Sequence, residues 1–407
     1  MHKKRRLLPL GLPVIALVVA APAYAAVTYN YNAAGLRYSA TGDAAGDDIE
    51  LTCVAGEVVP AAAVPAPCAT LESLSIRPNG GSDDVDLRGL SVADFPALQS
   101  VVIDDADDFV HDVVYGSDFD EVITVEYEDD VFAGGGDDLI EGGDTVDGGP
   151  GDDVLFEVSG EGGADGGPGD DRFIQTLAIG GNDGGPGYDV MEVDYDRLGQ
   201  RLDDASFTLS AAQLSITIPG DAADTFIVGF EEFHFTMVRG DGQSFDAAEF
   251  PGKVFYRGSR GSETFTGTDQ QDVVATGKGD DSLFMRDGVL DLVNCGDGDD
   301  TAVVDAVDIV TNCETVDYPV PATSRINGPK KIAKGSSASY TFGSSIDGSV
   351  FQCRIDKGSW KTCASPYPVK AKGKLKKGKH TLFVRAGYPA GNWDATPAKK
   401  KIKIKKT

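Results

Sequence analysis

The most restrictive feature of the sequence is a nine-residue phrase that recurs at a fixed interval. It reads GGPGDDVLF at 148–156, GGPGDDRFI at 166–174 and GGPGYDVME at 184–192, so consecutive copies begin 18 residues apart. Two positions after the last aspartate of each copy stands a hydrophobic residue: Leu155, Phe173 and Met191. A flexible Gly/Asp-rich linker has no reason to hold a hydrophobe at a constant offset, whereas a short strand facing a core does. The recurrence therefore predicts a repeat protein.

A second block, 258–293, divides without gaps into four nonapeptides, and CGDGDDTAV continues it after one inserted residue, Asn294. The eighth positions are the predicted inward hydrophobes: Phe265, Val274, Leu283, Leu292 and Ala302. The sixth positions are acidic except for one leucine: Glu263, Asp272, Asp281, Leu290 and Asp300. Every unit therefore supplies a hydrophobic side chain for the core, and most units also supply an acidic side chain that could bind a ligand.

Charge is distributed unevenly along the chain, whose formal net charge is −29. Residues 27–320 contain 62 acidic and 12 basic side chains, whereas 321–407 contain 17 Lys and 3 Arg against 3 Asp. Like charges a few ångströms apart repel by about 1 kcal/mol per pair even in water. The acidic region is therefore either disordered or a binder of cations, and the fixed hydrophobic positions argue against disorder.

The phrase GGPGDDVLF resembles the hemolysin-type (RTX) calcium-binding nonapeptide, G-G-x-G-x-D followed by x-apolar-x. In that family two nonapeptides form one 18-residue coil of a parallel β-roll. The resemblance implies that equivalent turns stack about 4.8 Å apart, as neighbouring strands do. It also implies several bound Ca²⁺ ions, because backbone carbonyls and sixth-position carboxylates supply the hard oxygen ligands that Ca²⁺ prefers.

The resemblance implies a set of metal-binding residues in the turns. Glycines allow the positive φ angles and the close backbone approach; they are Gly149, Gly151, Gly167, Gly169, Gly185 and Gly187. The implied carboxylate ligands are Asp138, Asp153, Asp171, Asp189, Asp272, Asp281 and Asp300. Asp153, Asp171 and Asp189 form one column. Asp138 lies in AGGGDDLIE (133–141), which begins 15 residues before the next unit, so its register is left open. Glu263 and Asp120 are degenerate candidates.

The predicted fold class is all-β, with a parallel β-roll or β-helix solenoid followed by a small immunoglobulin-like β-sandwich. Residues 1–26 have the basic start, apolar stretch and AYA site of a cleaved export signal, and that stretch is too short for a membrane span. The chain is therefore expected to be secreted rather than transmembrane. The remaining segments are a solenoid extension or cap with little or no bound calcium (27–132), RTX-type repeats (133–194), a degenerate solenoid segment (195–257) and a second repeat block (258–318).

The six cysteines fall into three pairs that are close in sequence, and none has the spacing of a zinc site. In an exported protein this predicts three short-loop disulfides: Cys53–Cys68, Cys295–Cys313 and Cys353–Cys363. The segment 295–316 resembles a closing segment of secreted actinobacterial proteins of this repeat type. The second disulfide is accordingly expected to staple the end of the solenoid.

The basic tail, 321–407, resembles a bacterial immunoglobulin-like domain through FQCRIDKGSWKTCASPY and GKHTLFVRAGYPAGNWDATP. Strand-like stretches at intervals of roughly 8–12 residues also predict a β-sandwich. Its lysines have two interpretations. They could decorate edge strands and keep the domain soluble, or they could dock the domain onto an anionic cell-envelope polymer or onto the acidic repeats. Nucleic acid is not an expected partner, because no aromatic residues accompany the lysines in a recognition pattern.

The sequence contains no GxSxG, HExxH, P-loop or EF-hand motif. His111, His234 and His380 are isolated in sequence and are interpreted as structural. The expected function is therefore a non-catalytic, secreted calcium-binding repeat protein. The alternative is a secreted polysaccharide-acting enzyme (a lyase, epimerase or hydrolase) on a parallel β-helix, since a catalytic carboxylate pair cannot be told from calcium ligands in so acidic a chain.

Overall fold

The computed structural model describes residues 27–43, 46–60, 65–105, 110–158, 162–175, 180–195, 203–218, 221–237, 239–346, 348–372, 375–388 and 392–405. The predicted export signal, 1–26, lies outside these residues. About half of the chain is in strands and 1% is helical, so the fold is all-β, as the repeats predict. The chain forms two compact units, 1–164 and 165–407.

The first unit is a stack of short strands. They are β1 (Thr28–Asn32), β2 (Arg37–Thr41), β3 (Asp48–Glu50), β4 (Thr52–Val54), β5 (Glu57–Val59), β6 (Ser73–Arg77), β7 (Asp84–Asp86), β8 (Ser100–Asp105), β9 (Val113–Ser117), β10 (Glu121–Val125), β11 (Asp130–Gly134), β12 (Leu139–Glu141), β13 (Thr145–Asp147), β14 (Val154–Phe156) and β15 (Gly163–Asp165). A 3₁₀ turn, Cys68–Thr70, precedes β6.

These strands alternate between two sheets, as in a solenoid in which each coil contributes one strand to each side. One sheet has the order β1-β2-β6-β8-β10-β12-β14 and the other has the order β3-β7-β9-β11-β13-β15. The pairs from β2 to β14 that carry the coils are parallel, and their inward residues are in register, as Ile123, Ile140 and Leu155 are. The inward row is at most 1% exposed and consists of Val85, Val101, Ile103, Val114, Ile123, Val131, Ile140, Val146 and Leu155.

The second unit begins with further coils. Its strands up to residue 317 are β16 (Arg172–Gln175), β17 (Gly181–Asp183), β18 (Val190–Asp194), β19 (Ser206–Ser210), β20 (Gln213–Ile218), β21 (Asp221–Val228), β22 (Glu232–Thr236), β23 (Gln243–Glu249), β24 (Lys253–Arg257), β25 (Glu263–Thr266), β26 (Val273–Ala275), β27 (Ser282–Phe284), β28 (Leu292–Asn294), β29 (Thr301–Val303), β30 (Ile309–Thr311) and β31 (Thr315–Asp317).

The two sheets of these coils have the orders β16-β18-β22-β24-β26-β28-β30 and β17-β21-β20-β19-β23-β25-β27-β29-β31. The first is parallel between its described pairs, but the second contains β19, β20 and β21 as an antiparallel meander. This meander lies in the segment predicted to be degenerate solenoid. Beside it the interior is aromatic, and the rings of Phe207, Phe235 and Phe245 lie 4.6–6.3 Å apart. Large rings fill the space that Val and Leu fill elsewhere.

The register predicted for one nonapeptide, MRDGVLDLV, is wrong by one residue. Val293 lies opposite Val274 and is 2% exposed, whereas Leu292 is 38% exposed. Because side chains alternate between the faces of a strand, burial of Val293 forces Leu292 outward. The inserted residue therefore precedes the acidic position and is not Asn294, which ends β28.

The second unit ends in two small sheets. Its last strands are β32 (Lys331–Ala333), β33 (Ser337–Tyr340), β34 (Val350–Ile355), β35 (Lys361–Cys363), β36 (Tyr367–Lys370), β37 (Gly378–Gly387) and β38 (Ala398–Lys405). The order β32-β38-β37-β34-β35 forms one sheet and β33-β36 the other. Tyr340 and Val369 from the smaller sheet share a core with Leu382, Val384 and Ile402 from the larger. The arrangement is a small β-sandwich, and its membership in the immunoglobulin-like class stays a prediction.

The three predicted disulfides are confirmed: Cys53–Cys68, Cys295–Cys313 and Cys353–Cys363. The second joins consecutive coils, because β28 and β30 pair directly before Cys295 and Cys313. Among the described residues, no helix is long and apolar enough to cross a membrane.

Candidate metal centre

Consecutive glycine turns stack so closely that backbone faces backbone. The φ of Gly151 is +155°, and a Cβ on this residue would lie 1.7 Å from the carbonyl oxygen of Gly136 in the preceding coil. A Cβ on Gly149 would lie 1.8 Å from the carbonyl oxygen of Gly134. No side chain fits at these distances, so the consensus glycines are required by the stacking itself. The stacking places rows of carbonyl oxygens along the turns.

The other predicted turn glycines have related geometries. Positive φ angles occur at Gly167 (+95°), Gly169 (+158°) and Gly185 (+91°). A Cβ on Gly185 would lie 2.2 Å from the carbonyl oxygen of Gly167, and a Cβ on Gly187 would lie 1.6 Å from that of Gly169. The second unit therefore repeats the turn stacking of the first.

Beneath the turns, buried carboxylates form chains that we term carboxylate ladders. In the ladder through Asp281, its Oδ1 accepts the N–H of Glu263 at 2.9 Å, and its own N–H donates to Oδ1 of Asp300 at 2.9 Å. The N–H of Asp300 donates in turn to Glu314 at 3.0 Å. In Asp281 and Asp300 one carboxylate oxygen thus holds adjacent coils together, and the second is buried without a hydrogen-bond partner among the described residues.

The same geometry recurs on both units. The ladders are Asp47–Asp83–Asp112–Asp129, Glu121–Asp138–Asp153, Asp171–Asp189–Glu231, Asp272–Asp291–Asp308 and Glu263–Asp281–Asp300–Glu314. Every candidate aspartate implied by the resemblance lies in one of them. Those aspartates are at most 2% exposed: Asp138, Asp153, Asp171, Asp189, Asp272, Asp281 and Asp300.

Two positions differ from the sequence expectation. Asp120 is exposed and accepts the N–H of Asp137 at the surface, while its neighbour Glu121 is 1% exposed and enters the ladder. In the second block Leu290 is 36% exposed, and Asp291 occupies the buried acidic position. Both differences have the same cause: the carboxylate must stand two residues before an inward hydrophobe, which here is Ile123 or Val293.

Sequence reasoning missed the ladder in 27–132, where the consensus glycines are largely absent. The signal that could have found it is an acid two residues before an inward valine, as in Asp83 before Val85 and Asp112 before Val114. Asp47 and Asp129 have the same relation to Ile49 and Val131. The ladders also end on acids that no motif identifies: Glu231, Asp308 and Glu314.

Several ladder residues have a second carboxylate oxygen that is buried without a hydrogen-bond partner among the described residues. These are Oδ2 of Asp138, Asp189, Asp281, Asp291 and Asp300. A buried polar atom left without a partner costs about 1–3 kcal/mol, and more if it is charged. The ladders therefore contain a repeated deficit that a cation would remove.

Burial shifts the acidity of these groups. It raises the pKa of Asp138, Asp189 and Asp281 to about 6. Burial, together with the negative charges of Asp272 and Asp287, raises the pKa of Asp291 to about 8. Burial likewise raises the pKa of Glu121 to about 9. All these shifts have the direction expected of carboxyls held in a dry, acidic environment.

The donor set fits a hard cation. The ladders and the turns offer carboxylate and backbone carbonyl oxygens, which are the ligands that Ca²⁺ takes at about 2.3–2.6 Å. Histidine and cysteine, which zinc favours, take no part in the ladders. The described histidines instead lie beside carboxylates outside the ladders: His111 beside Asp130, His234 beside Glu232 and His380 beside Asp356.

A second charged feature lies on the sandwich. Lys403 on β38 is directly opposite Lys331 on β32 and Lys379 on β37, and all three are exposed. We term this group the lysine row. Together with Lys330 and Lys401 it lines a groove of about 470 Å³. Because like charges directly opposite each other destabilise a sheet, the row is poorly suited to a free surface. The lysine row also does not lie only on an edge strand, because β38, which carries Lys403, lies between β32 and β37.

No protein-family model matches the chain. No curated protein matches it either. The resemblance to RTX proteins therefore rests on the repeated sequence motif and stays a prediction.

Proposed function

We propose that this protein is an extracellular, non-catalytic calcium-binding repeat protein whose turns and carboxylate ladders take up several Ca²⁺ ions. The observation that carries the proposal is the set of buried carboxylates with one oxygen in a ladder hydrogen bond and the other without a partner, as in Asp281 and Asp300. In Asp281 and Asp300 the ladder uses only the first oxygen, and a cation would satisfy the second.

The same geometry supports a role for calcium in folding. A carboxylate whose charge is buried and uncompensated opposes folding, and binding of a cation to the folded state alone stabilises that state. Extracellular calcium modules bind with affinities of about 10⁻⁴–10⁻³ M. We therefore expect the solenoid to be completed by calcium outside the cell, where the ion reaches such concentrations.

The test compares the mature chain in EDTA with the chain in millimolar Ca²⁺. Circular dichroism and calorimetry are expected to show more strand and a higher melting temperature in Ca²⁺. Mg²⁺ at the same concentration serves as the control, because it demands a smaller octahedral site and is expected to produce a weaker effect. Identical spectra and melting temperatures in EDTA and Ca²⁺ would rule out the proposed function.

For the basic domain we propose a contact with an anionic polymer of the cell envelope. The lysine row supports this, since a polymer with regularly spaced negative charges would relieve the repulsion between Lys331, Lys403 and Lys379 across three neighbouring strands. The groove that they line has a volume of about 470 Å³ and also includes Lys330 and Lys401.

The lysine contact is tested with dextran sulfate as the polyanion and neutral dextran as the reference. Changing Lys331, Lys379 and Lys403 together to Gln is expected to weaken binding at least tenfold at low salt. A control variant changes Lys357, Lys361 and Lys370, which are exposed lysines of the same domain, to Gln. Equal losses in the two variants would mean that net charge alone, and not the lysine row, governs binding. Sedimentation of the wild-type chain as a salt-sensitive oligomer would instead favour docking onto its own acidic repeats.

A further inference from the structure

One carboxylate of the first unit occupies a position that belongs to the hydrophobic interior. Asp105 is the last residue of β8, whose inward side chains are Val101, Ile103 and Asp105 itself. In the next coil its register partner is Val125, a core residue that is 5% exposed. Asp105 is 3% exposed. An aliphatic side chain would fill this position at no electrostatic cost, so the carboxylate requires an explanation.

Two further carboxylates meet Asp105 inside the coil. Asp83 and Asp112 belong to the first ladder and are 1% and 2% exposed. One carboxylate oxygen from each of the three residues lies within 4.8 Å of the oxygens of the other two. The three come from different segments, namely the turn before β7, the end of β8 and the turn before β9. The fold itself brings them together.

The cluster has an oxygen that the protein does not satisfy. Oδ2 of Asp105 is buried and accepts no N–H or hydroxyl donor among the described residues, and the carboxyl of Asp105 interacts with that of Asp112. The neighbouring charges that act most strongly on Asp105 are those of Asp112, Asp83 and Asp129, all of which are negative. Three ionised carboxylates this close in a dry interior are strongly unfavourable, and either a bound cation or shared protons must reduce their charge.

We propose that Asp83, Asp105 and Asp112 bind a Ca²⁺ ion in a site distinct from the glycine turns. The cluster offers one carboxylate oxygen from each of the three residues, and carboxylate oxygens are the hard ligands that Ca²⁺ prefers. The site differs from the turn sites because one ligand comes from the inward row of a strand and no consensus glycine takes part. It also lies in 27–132, the segment in which the nonapeptide motif predicts little or no calcium.

The test uses the mature full-length chain and CaCl₂ as the probe. Native mass spectrometry is expected to count one fewer bound Ca²⁺ in Asp105→Asn than in the wild type. Hydrogen exchange is expected to show that peptides around β8 and β9 lose their calcium-dependent protection, while peptides around β27 keep theirs. The matched control is Asp104→Asn, the adjacent residue, whose side chain is 44% exposed and pairs with Arg77 at 3.0 Å. This variant is expected to bind calcium as the wild type does.

A second variant keeps the test decisive if Asp105→Asn folds poorly. Asp105→Val places at this position the residue that the next coil has in register, so the coil is expected to fold without calcium and to lose the local calcium response. Unchanged stoichiometry and unchanged protection around β8 in both variants would overturn the proposal. This includes the case in which the three carboxyls share protons and bind no ion. Loss of calcium in Asp281→Asn but not in Asp105→Asn would leave the turn sites standing and refute this site alone.

Discussion

Replacing Asp281 by Asn is expected to change stability in opposite directions with and without calcium. Asn keeps the shape of the side chain and retains an oxygen that can accept the N–H of Glu263, a bond of 2.9 Å in the wild type. It removes the charge of a carboxylate whose second oxygen is buried without a partner. The substitution therefore separates the ladder hydrogen bond from the charge that a cation would need.

The expected change in the free energy of unfolding in EDTA follows from the pKa of Asp281. Burial raises the pKa of Asp281 from 3.8 to about 6, and each pKa step corresponds to about 1.4 kcal/mol. At pH 8 the ionised carboxylate therefore lowers the free energy of unfolding by about 3 kcal/mol. The new amide N–H₂ lacks an acceptor, which costs roughly 2 kcal/mol. We expect a net gain of about 1 kcal/mol in EDTA.

In millimolar calcium the sign reverses, because the variant loses a charged ligand. A tenfold weaker calcium affinity corresponds to about 1.4 kcal/mol, and we expect the free energy of unfolding to fall below that of the wild type. The assay is urea unfolding at pH 8 followed by circular dichroism, with Asp280→Asn as the control. Asp280 is the exposed neighbour whose carboxylate accepts the N–H of Asp299. If Asp281→Asn were destabilised equally in EDTA and in calcium, the ladder carboxylate would be a structural hydrogen-bond acceptor and the cation argument would fail.

Three further predictions concern the coils. Leu283→Ala is expected to lower the free energy of unfolding by about 2–5 kcal/mol, both in EDTA and in calcium. Leu292→Ala changes an exposed side chain and is expected to lower it by less than about 1 kcal/mol. Similar losses in the two variants would contradict the strand register. Gly151→Ala is expected to disrupt the stacked turn and to lower the melting temperature. Gly181→Ala, where an added Cβ meets nothing within 4 Å, is expected to melt at the temperature of the wild type. Without calcium, the free energy of unfolding is expected to fall as pH rises from about 4 to 8, because raised pKa values make the folded state bind more protons in that window; a flat profile in EDTA would refute this.

The architecture could be predicted because the repeat carries redundant information. The 18-residue interval fixes the coil length, and the hydrophobe after each acid fixes which side chain is inward. Leu155, Phe173 and Met191 are accordingly fully buried. The disulfides could be predicted because each pair is close in sequence, with separations of 10–18 residues.

The errors arise where local sequence permits two solutions. Between 285 and 294 both Leu290 and Leu292 are hydrophobic, so the inserted residue cannot be placed until Val293 is seen opposite Val274. In the first unit the ladder acids are separated by 36, 29 and 17 residues, so no period exposes them. Asp105 is harder still, since IDDADD suggests a polar turn and only the strand register reveals an inward carboxylate.

The carboxylate ladders also have a direction. In every ladder step described above, the N–H of the earlier coil donates to the carboxylate of the later one, from Asp47 onto Asp83 in the first ladder to Asp300 onto Glu314 in the last. Each coil therefore receives the acceptor for its own ladder N–H from the coil that follows it. Loss of a later coil is expected to leave the preceding ladder N–H without its acceptor, and the Cys295–Cys313 disulfide holds two of the last coils together covalently.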